Sequence, residues 1–405
     1  MSRKELHVPS KDLTSCDVVI AAAARTPMGG FQGDLSALSA TKLGAVAIQA
    51  AIARADIRAG EVDEVLMGNV LAAGLGQAPA RQAALGAGLS ERTPCTTVSK
   101  VCGSGMKAVM LAYDQIKAGS CDVAISGGME SMSNAPYFLP KARSGLRIGH
   151  GEIRDHMFFD GLEDAYTGGA MGTFAQSTAD ERSITREAMD TYALESLARA
   201  NQAISAGHFR DEIEPVSIKT RSGEALIEHD EQPGKARPGK IPQLQPAFTQ
   251  DGTITAANSS SISDGAAALV VMSAQRARSL GLTPLARMVG HVTCAGAPGA
   301  FTTAPIDSIH KLLANIGWTV DSIDLFEINE AFAMVTMMAI DELGLDHACV
   351  NVHGGACALG HPIGASGARI LVTLLHALKR QGKYRGVASL CIGGGEATSV
   401  AVEML

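Results

Sequence analysis

Short runs of Val, Ile, Leu and Ala alternate over the first 130 residues with longer Ala-rich stretches whose apolar positions recur every three or four residues. The short runs predict strands over 18–21, 62–70, 96–101 and 122–126, and the longer ones predict helices over 40–55, 78–87 and 104–117. A strand–helix–strand rhythm of this kind is that of an α/β protein with a largely buried sheet. From about 131 to 255 the pattern changes to Pro, Gly, charge and scattered aromatics. One helix is expected there, over 185–206, with Thr185 as its N-cap and Glu187 in an acidic first turn. The β–α alternation resumes after Asp264-Gly-Ala-Ala-Ala-Leu-Val-Val-Met272 and continues to the end of the chain.

The sequence also echoes itself. Gly103-Ser-Gly-Met-Lys-Ala-Val-Met opens a predicted helix that is followed by the strand at 122–126 and by Gly127-Gly-Met-Glu130. Far downstream, Gly364-Ala-Ser-Gly-Ala-Arg-Ile-Leu opens another, followed by a strand over 387–392 and by Gly393-Gly-Gly-Glu396. Element order and glycine placement match, which implies two copies of one α/β unit joined across the 131–255 insertion. Two related halves packed together bring equivalent strand ends and helix N-termini to one place, where sites of α/β sheets form. Cys102, His361 and Cys391 all fall at such ends beside glycines, so all three are candidates for one cleft.

Composition narrows the classes. Of 405 residues, 46% are hydrophobic and 19% charged, as in a globular enzyme, and the length predicts two or three packed units. The net charge of −7 and the lack of a long basic stretch argue against nucleic acid as a partner. One short cluster, Lys235-Ala-Arg237-Pro-Gly-Lys240, reads either as a solvated loop or as a site for an anionic group such as a nucleotide phosphate. None of the eight cysteines has CxxC spacing, so no metal site is expected. Residues 1–15 lack the apolar run of a secretory leader, and no stretch is long and apolar enough for a membrane span. The expected location is the cytoplasm, with reduced thiols.

The chemistry-bearing positions differ in how sharply they point. Cys102 sits at a strand–helix junction, where helix N–H groups are expected to stabilise a thiolate and lower its pKa; Gly103 and Gly105 leave room for a bulky acyl carrier. Cys391 precedes a triple glycine whose backbone N–H groups could hold an oxyanion. His361, in Gly360-His-Pro-Ile-Gly364, lies on a loop stiffened by Pro362 and is placed to take a proton from a thiol, although a capping histidine fits the same motif. Asn329, after the apolar run 325–328, is either a turn former or an amide delivered to a strand end. Gly103-Ser-Gly-Met-Lys-Ala108 also fits a dinucleotide fingerprint, but Asp122 opens its strand and so stands at the wrong edge for a ribose.

Taken together, Val101-Cys-Gly-Ser-Gly-Met-Lys-Ala-Val109, Asn329-Glu-Ala-Phe-Ala333, Gly360-His-Pro-Ile-Gly-Ala-Ser-Gly367 and Cys391-Ile-Gly-Gly-Gly395 resemble the thiolases, in particular their acetoacetyl-CoA branch. The resemblance runs from about residue 16 to 405. It implies a duplicated α/β/α/β/α layered fold with an inserted loop domain. The expected organisation is an extension at 1–15, a first half at 16–130, the insertion at 131–255 over the CoA site, completion of the first half at 256–282, and a second half at 283–405. It implies Cys102 as acyl carrier, His361 as its activating base and Cys391 as the acid/base at the acetyl methyl. It further implies one oxyanion hole from His361 and a water on Asn329, and another from the N–H groups of Cys102 and Gly393. Ser260 matches a serine near the pantetheine arm, and Met171 and Phe332 match residues lining the thioester pocket.

The sequence departs from that branch at Ala170, where a histidine is common, at Phe301, where a methionine is, and around 230–245, which leaves open which of Lys235, Arg237 and Lys240 meets the nucleotide. Acyl-CoA and CoA are the implied substrates, with no further cofactor, and a homodimer or homotetramer the implied assembly. A longer-chain 3-ketoacyl-CoA thiolase and a non-catalytic acyl-CoA or lipid-binding relative are the alternatives. A ketoacyl synthase is disfavoured because it carries two histidines and no second cysteine.

Overall fold

The computed structural model describes residues 13–220 and 223–405, so most of the extension expected at 1–15 lies outside the described residues. Nine of its strands are β1 (Val18–Arg25), β2 (Glu64–Gly68), β3 (Cys95–Val98), β4 (Val123–Ser131), β5 (Ser263–Ser273), β6 (Ala286–Ala295), β7 (Leu325–Ile328), β8 (Arg385–Ile392) and β9 (Glu396–Met404). The longer helices are α1 (Ala40–Ala55), α2 (Pro79–Gly86), α3 (Ser104–Lys117), α4 (Met171–Glu181), α5 (Arg186–Ser205), α6 (Ala304–Ile316), α7 (Ala333–Leu343) and α8 (Ile363–Gln381). The strands form one sheet in the order β7-β8-β9-β6-β1-β5-β4-β2-β3.

The duplication is visible in the pairing senses. In the first half β1 pairs antiparallel with β5, β5 antiparallel with β4, β4 parallel with β2, and β2 parallel with β3. In the second half β6 pairs antiparallel with β9, β9 antiparallel with β8, and β8 parallel with β7. A parallel bridge from Phe326 to Val350 stands where β3 stands in the first half. The two halves join through a short antiparallel contact between Val18–Ile20 of β1 and Ala286–Met288 of β6.

Strand alternation sorts the core into layers. Ala266, Ala268, Val270 and Met272 of β5 face α1 and α2, while Ala267, Leu269 and Val271 face α3 and α8. On the second half, α6 and α7 cover the outer face of β8 and β9. The arrangement is therefore α/β/α/β/α, with α3 and α8 in the middle. Buried on all sides, α8 is apolar around almost its whole circumference. The insertion contributes α4, α5 and two small hairpins, and α5 packs on α7 and on the turn at Ala356–Leu359.

Helices α1 and α3 span the predicted limits. Thr185 caps α5, its hydroxyl accepting from Ala188 N–H at 3.2 Å. Strand limits differ more from expectation: β1, expected to end at 21, runs to Arg25, and β2, expected over 62–70, covers Glu64–Gly68. The strand expected at 96–101 stops at Val98, because Val101 takes a left-handed φ of 46° and turns the chain. The strand expected to end at 126 runs to Ser131, because β5 stays in register with it as far as Asp264 opposite Ser131. The Gly127–Glu130 stretch is therefore strand, whereas its echo at Gly393–Gly395 is a hairpin turn.

The central layer depends on close backbone approach. Carbon added as Cβ at Gly128 of β4 would stand 2.1 Å from the Gly364 carbonyl oxygen, and at Gly68 of β2 2.7 Å from it. Gly105 of α3 approaches the same oxygen, at 3.0 Å. These three first-half glycines form a socket for the first turn of α8. Gly128→Ala should therefore destabilise the protein by about 1–3 kcal/mol or more, whereas Gly60→Ala, with nothing within 4 Å, should not. Urea unfolding reads both; equal midpoints would mean that the socket yields without cost.

Candidate active site

Cys102 stands between β3 and α3, and the turn that presents it is strained. Left-handed backbone at a β-branched residue such as Val101 is rare and has to be held by its surroundings. Ser104 holds it: its hydroxyl donates to the Val101 carbonyl at 2.7 Å and accepts from Lys100 N–H at 2.8 Å. Gly103 admits the second half, since a Cβ there would meet Ile392 Cδ1 at 2.4 Å. Behind Ile392, the turn at Gly394 and Gly395 has positive φ, and Gly296 N–H donates to the Gly395 carbonyl at 2.8 Å. Gly393 N–H and the N–H of Cys102 itself both reach the Cys102 sulfur.

His361 follows Gly360, whose φ of 103° and closeness to Ser263 Oγ exclude a side chain. Its N–H donates to the Ser261 carbonyl at 3.1 Å. The ring Nδ1 lies 2.5 Å from Ser366 Oγ, and that hydroxyl donates to the Pro362 carbonyl at 2.9 Å. With its proton so committed, the hydroxyl accepts from Nδ1–H, which leaves Nε2 bare as an acceptor. Nε2 is buried and has no partner among the described residues. Burial, with the Arg369 charge adding to it, pulls the imidazole pKa down to about 3.

The expectation that the helix terminus lowers the Cys102 pKa is overturned. Burial pushes the thiol up to about 11, and the N–H groups of Gly393 and Cys102 only partly oppose this. The Cys391 thiol is raised further by the same desolvation, with the neighbouring Cys102 adding to it. In the resting site both thiols and the imidazole are therefore neutral.

These groups share a cavity of about 360 Å³, walled by Cys102, His361, Cys391, Gly393, Ser260, Met171, Phe301 and Phe332 among others. Among the described residues no carboxylate, lysine or arginine lines it. The Ser260 hydroxyl is committed to the Ala331 carbonyl at 3.0 Å. Phe332 is flanked by Phe301 and Phe248, with ring centres 6.3 and 6.1 Å away. Ala170 and Met171 start α4 on the same wall.

Asn329 is fully buried but is not on the cavity wall, and neither end of its amide has a partner among the described residues. Lys235, Arg237 and Lys240 line a second hollow of about 330 Å³, which adjoins the first through Ala256 and Ser261. Lys235 is paired with Glu231 and, at 3.5 Å, with Asp34.

Sequence reasoning missed Phe248, which is seated on Gly172 so closely that a Cβ there would lie 2.1 Å from the ring. It also missed Ser366, for which the only signal was the short spacing from His361. Glu330 was missed as well. It binds the Tyr192 and Ser196 hydroxyls of α5, the Asn351 amide and Cys357 N–H, so it ties the insertion to the loop that follows Asn329.

The chain matches two family profiles: the thiolase N-terminal domain over residues 18–275 and the thiolase C-terminal domain over 282–404. It is 50% identical over 400 residues to acetyl-CoA acetyltransferase 2 of Arabidopsis thaliana, covering 98% of this chain and 99% of that protein. The crystal structure of the Bacillus anthracis acetyl-CoA acetyltransferase superposes with a TM-score of 0.94 at 42% identity, covering 96% of this chain and 99% of that one. The Acat5 thiolase from Ascaris suum, in complex with coenzyme A, gives 0.91 at 41% identity, covering 96% and 100%.

A neutral thiol beside a neutral imidazole has a direct consequence for alkylation. In the absence of substrate, the rate of Cys102 modification by iodoacetamide should rise steadily from pH 7 to 10, following the thiolate fraction below a pKa of about 11. Mass-spectrometric timing of the Cys102 adduct measures it, and a rate already level between pH 6 and 8 would point to a thiolate–imidazolium pair instead.

Proposed function

The chain belongs to the thiolase family, and from that premise we propose that it is an acetyl-CoA C-acetyltransferase, which cleaves acetoacetyl-CoA with coenzyme A and condenses two acetyl-CoA in reverse. One observation carries this assignment: two thiols and an unpartnered imidazole nitrogen face one apolar cavity, and a glycine N–H is turned on one of the sulfurs. In cleavage, Cys102 Sγ attacks the 3-keto carbonyl as His361 Nε2 takes its proton. In the resting site that proton stays on sulfur, so its transfer accompanies attack. The oxyanion is received by the N–H groups of Gly393 and Cys102. The C2–C3 bond then breaks, leaving acetyl-Cys102 and the enolate of acetyl-CoA, which Cys391 protonates at carbon. The Cys391 thiolate then takes the thiol proton of coenzyme A, whose sulfur attacks acetyl-Cys102 and leaves as the second acetyl-CoA, and the departing Cys102 sulfur recovers its proton from His361.

The enolate oxygen is assigned to His361 and to a water on Asn329, whose buried amide has hydrogen-bonding capacity to spare. Phe301, Phe332 and Met171 close the acyl end of the cavity, which speaks for a short acyl group. The basic hollow is assigned to the nucleotide end of CoA. Arg237 and Lys240 are better placed for its phosphates than Lys235, which is engaged by carboxylates. On this scheme charge is handled by protein dipoles, with no cofactor beyond the substrates. Since Cys102 must stay reduced, the cytoplasm is the proposed compartment. A homodimer or homotetramer is the proposed assembly. Among the described residues β3 pairs on one side only, and Tyr137, Ile148 and Ile153 expose apolar surface on the hairpin segment 137–155. Light scattering should return two or four times the 41.8 kDa chain mass; a monomer at micromolar concentration would reject it.

Incubation with acetyl-CoA should add one acetyl group to Cys102, and acetoacetyl-CoA cleavage should follow ping-pong kinetics. Cys391→Ser should still acetylate Cys102, yet lose roughly 10²- to 10⁴-fold in deuterium exchange at the acetyl methyl. Peptide mass spectra decide this. Full cleavage activity in Cys102→Ala, or undiminished exchange in Cys391→Ser, would require other residues in these roles.

A further inference from the structure

Glu130 is a fully buried carboxylate with no place in the mechanism above. It lies near the end of β4, on the same face as Gly128, and so points into the middle layer where α8 arrives. Both of its oxygens are saturated with donors. Oε1 accepts from Asn69 Nδ2 at 2.7 Å and from Leu71 N–H at 3.2 Å; Oε2 accepts from Val70 N–H at 3.0 Å and Gly364 N–H at 3.0 Å. Three of these donors belong to the loop after β2, in the first half of the chain. The fourth belongs to the first turn of α8, in the second half.

That turn is the one on which the base depends. His361 and Pro362 lead into it, Ile363 walls the cavity, and Ser366 fixes the imidazole through Nδ1. Gly364 is fitted to the carboxylate, since a Cβ there would stand 2.6 Å from Glu130 Oε2. Its carbonyl oxygen sits in the socket of Gly68, Gly105 and Gly128, so the peptide at Gly364 is held on both sides by first-half atoms. The loop ahead of the turn is also tied to that half, by His361 N–H on the Ser261 carbonyl at 3.1 Å, and within the turn itself the crossing donor is Gly364 N–H.

We propose that Glu130 is a positioning residue for the reaction: its carboxylate clamps the first turn of α8 and thereby sets His361 Nε2 against Cys102 across the junction of the two halves. A fixed geometry between base and nucleophile matters because a displacement of about 1 Å can cost 10²-fold in rate. The inference rests on the assignment of His361 as the base.

Glu130→Gln tests it. The glutamine keeps the shape, but turns an amide NH₂ toward N–H donors and breaks the clamp on at least one side. The expected result is a fall in kcat of roughly 10- to 100-fold with KM for acetoacetyl-CoA unchanged and equally slowed single-turnover acetylation of Cys102, while the buried N–H donors left unpaired lower the melting temperature. Unchanged kcat would overturn the proposal, and so would unslowed acetylation of Cys102 or a rise in KM in step with the loss of kcat, either of which marks a merely structural carboxylate. Should Glu130→Gln fail to accumulate in folded form, Asn69→Ala, which removes one of the four donors and keeps the charge, is judged by the same criteria with a smaller drop. His361→Ala is run alongside. Wild-type acetylation in it means that the base assignment has failed, whereas a dead His361→Ala with a fully active Glu130→Gln means that only the clamp has.

Discussion

The structure turns on the close approach of two peptide backbones at Gly364. Its carbonyl oxygen lies among Gly68, Gly105 and Gly128, and its N–H is held by Glu130. Side chains at the three socket positions would force α8 outward, and with it the loop that carries His361. The cavity is thus a by-product of how the two halves interlock, each bringing one thiol to its wall. Gly103 against Ile392 repeats the same device on the other side of the cavity, where the N–H of Gly393 reaches Cys102.

Burial has a second effect, on charge. Cys391 and His361 are buried and Cys102 is half-buried on the cavity wall, none with an ionic partner, and desolvation favours the neutral form of each. A helix N-terminus is worth a few tenths to about 2 kcal/mol to an anion, too little to offset the desolvation of a sulfur in this setting. A neutral resting site suits a reaction in which charge develops only as the carbonyl is attacked, because the oxyanion donors then meet it in a low dielectric.

The halves share a topology but do not share tasks. The equivalent strands β4 and β8 both end in Gly-rich segments followed by a glutamate. In the first half that segment stays in the sheet and its glutamate braces α8. In the second it turns back at once, and Glu396 is left to pair with Lys100 near the surface. The insertion adds what neither half has: α4, with Met171 at its start, and Phe248, which packs over Gly172 on the cavity wall.

Local sequence determined a good deal. Strand and helix order, the limits of α1 and α3, the Thr185 cap and the repeat were all legible, because each depends on neighbours within a few residues. The junction glycines marked Cys102, His361 and Cys391 as chemical positions for the same reason. The duplicated pattern also pointed to one cleft for all three, and tertiary structure alone decided in what state they meet there. The thiol pKa reversed sign because desolvation depends on the walls that the other half supplies. Val101 ended its strand early because Ser104 folds back on it, and the Gly127–Glu130 stretch stayed in the sheet because β5 remains paired with it. Phe248 on Gly172, Glu330 under α5 and Glu130 on Gly364 were illegible, since each joins segments far apart in the chain and no local pattern records which of them will touch.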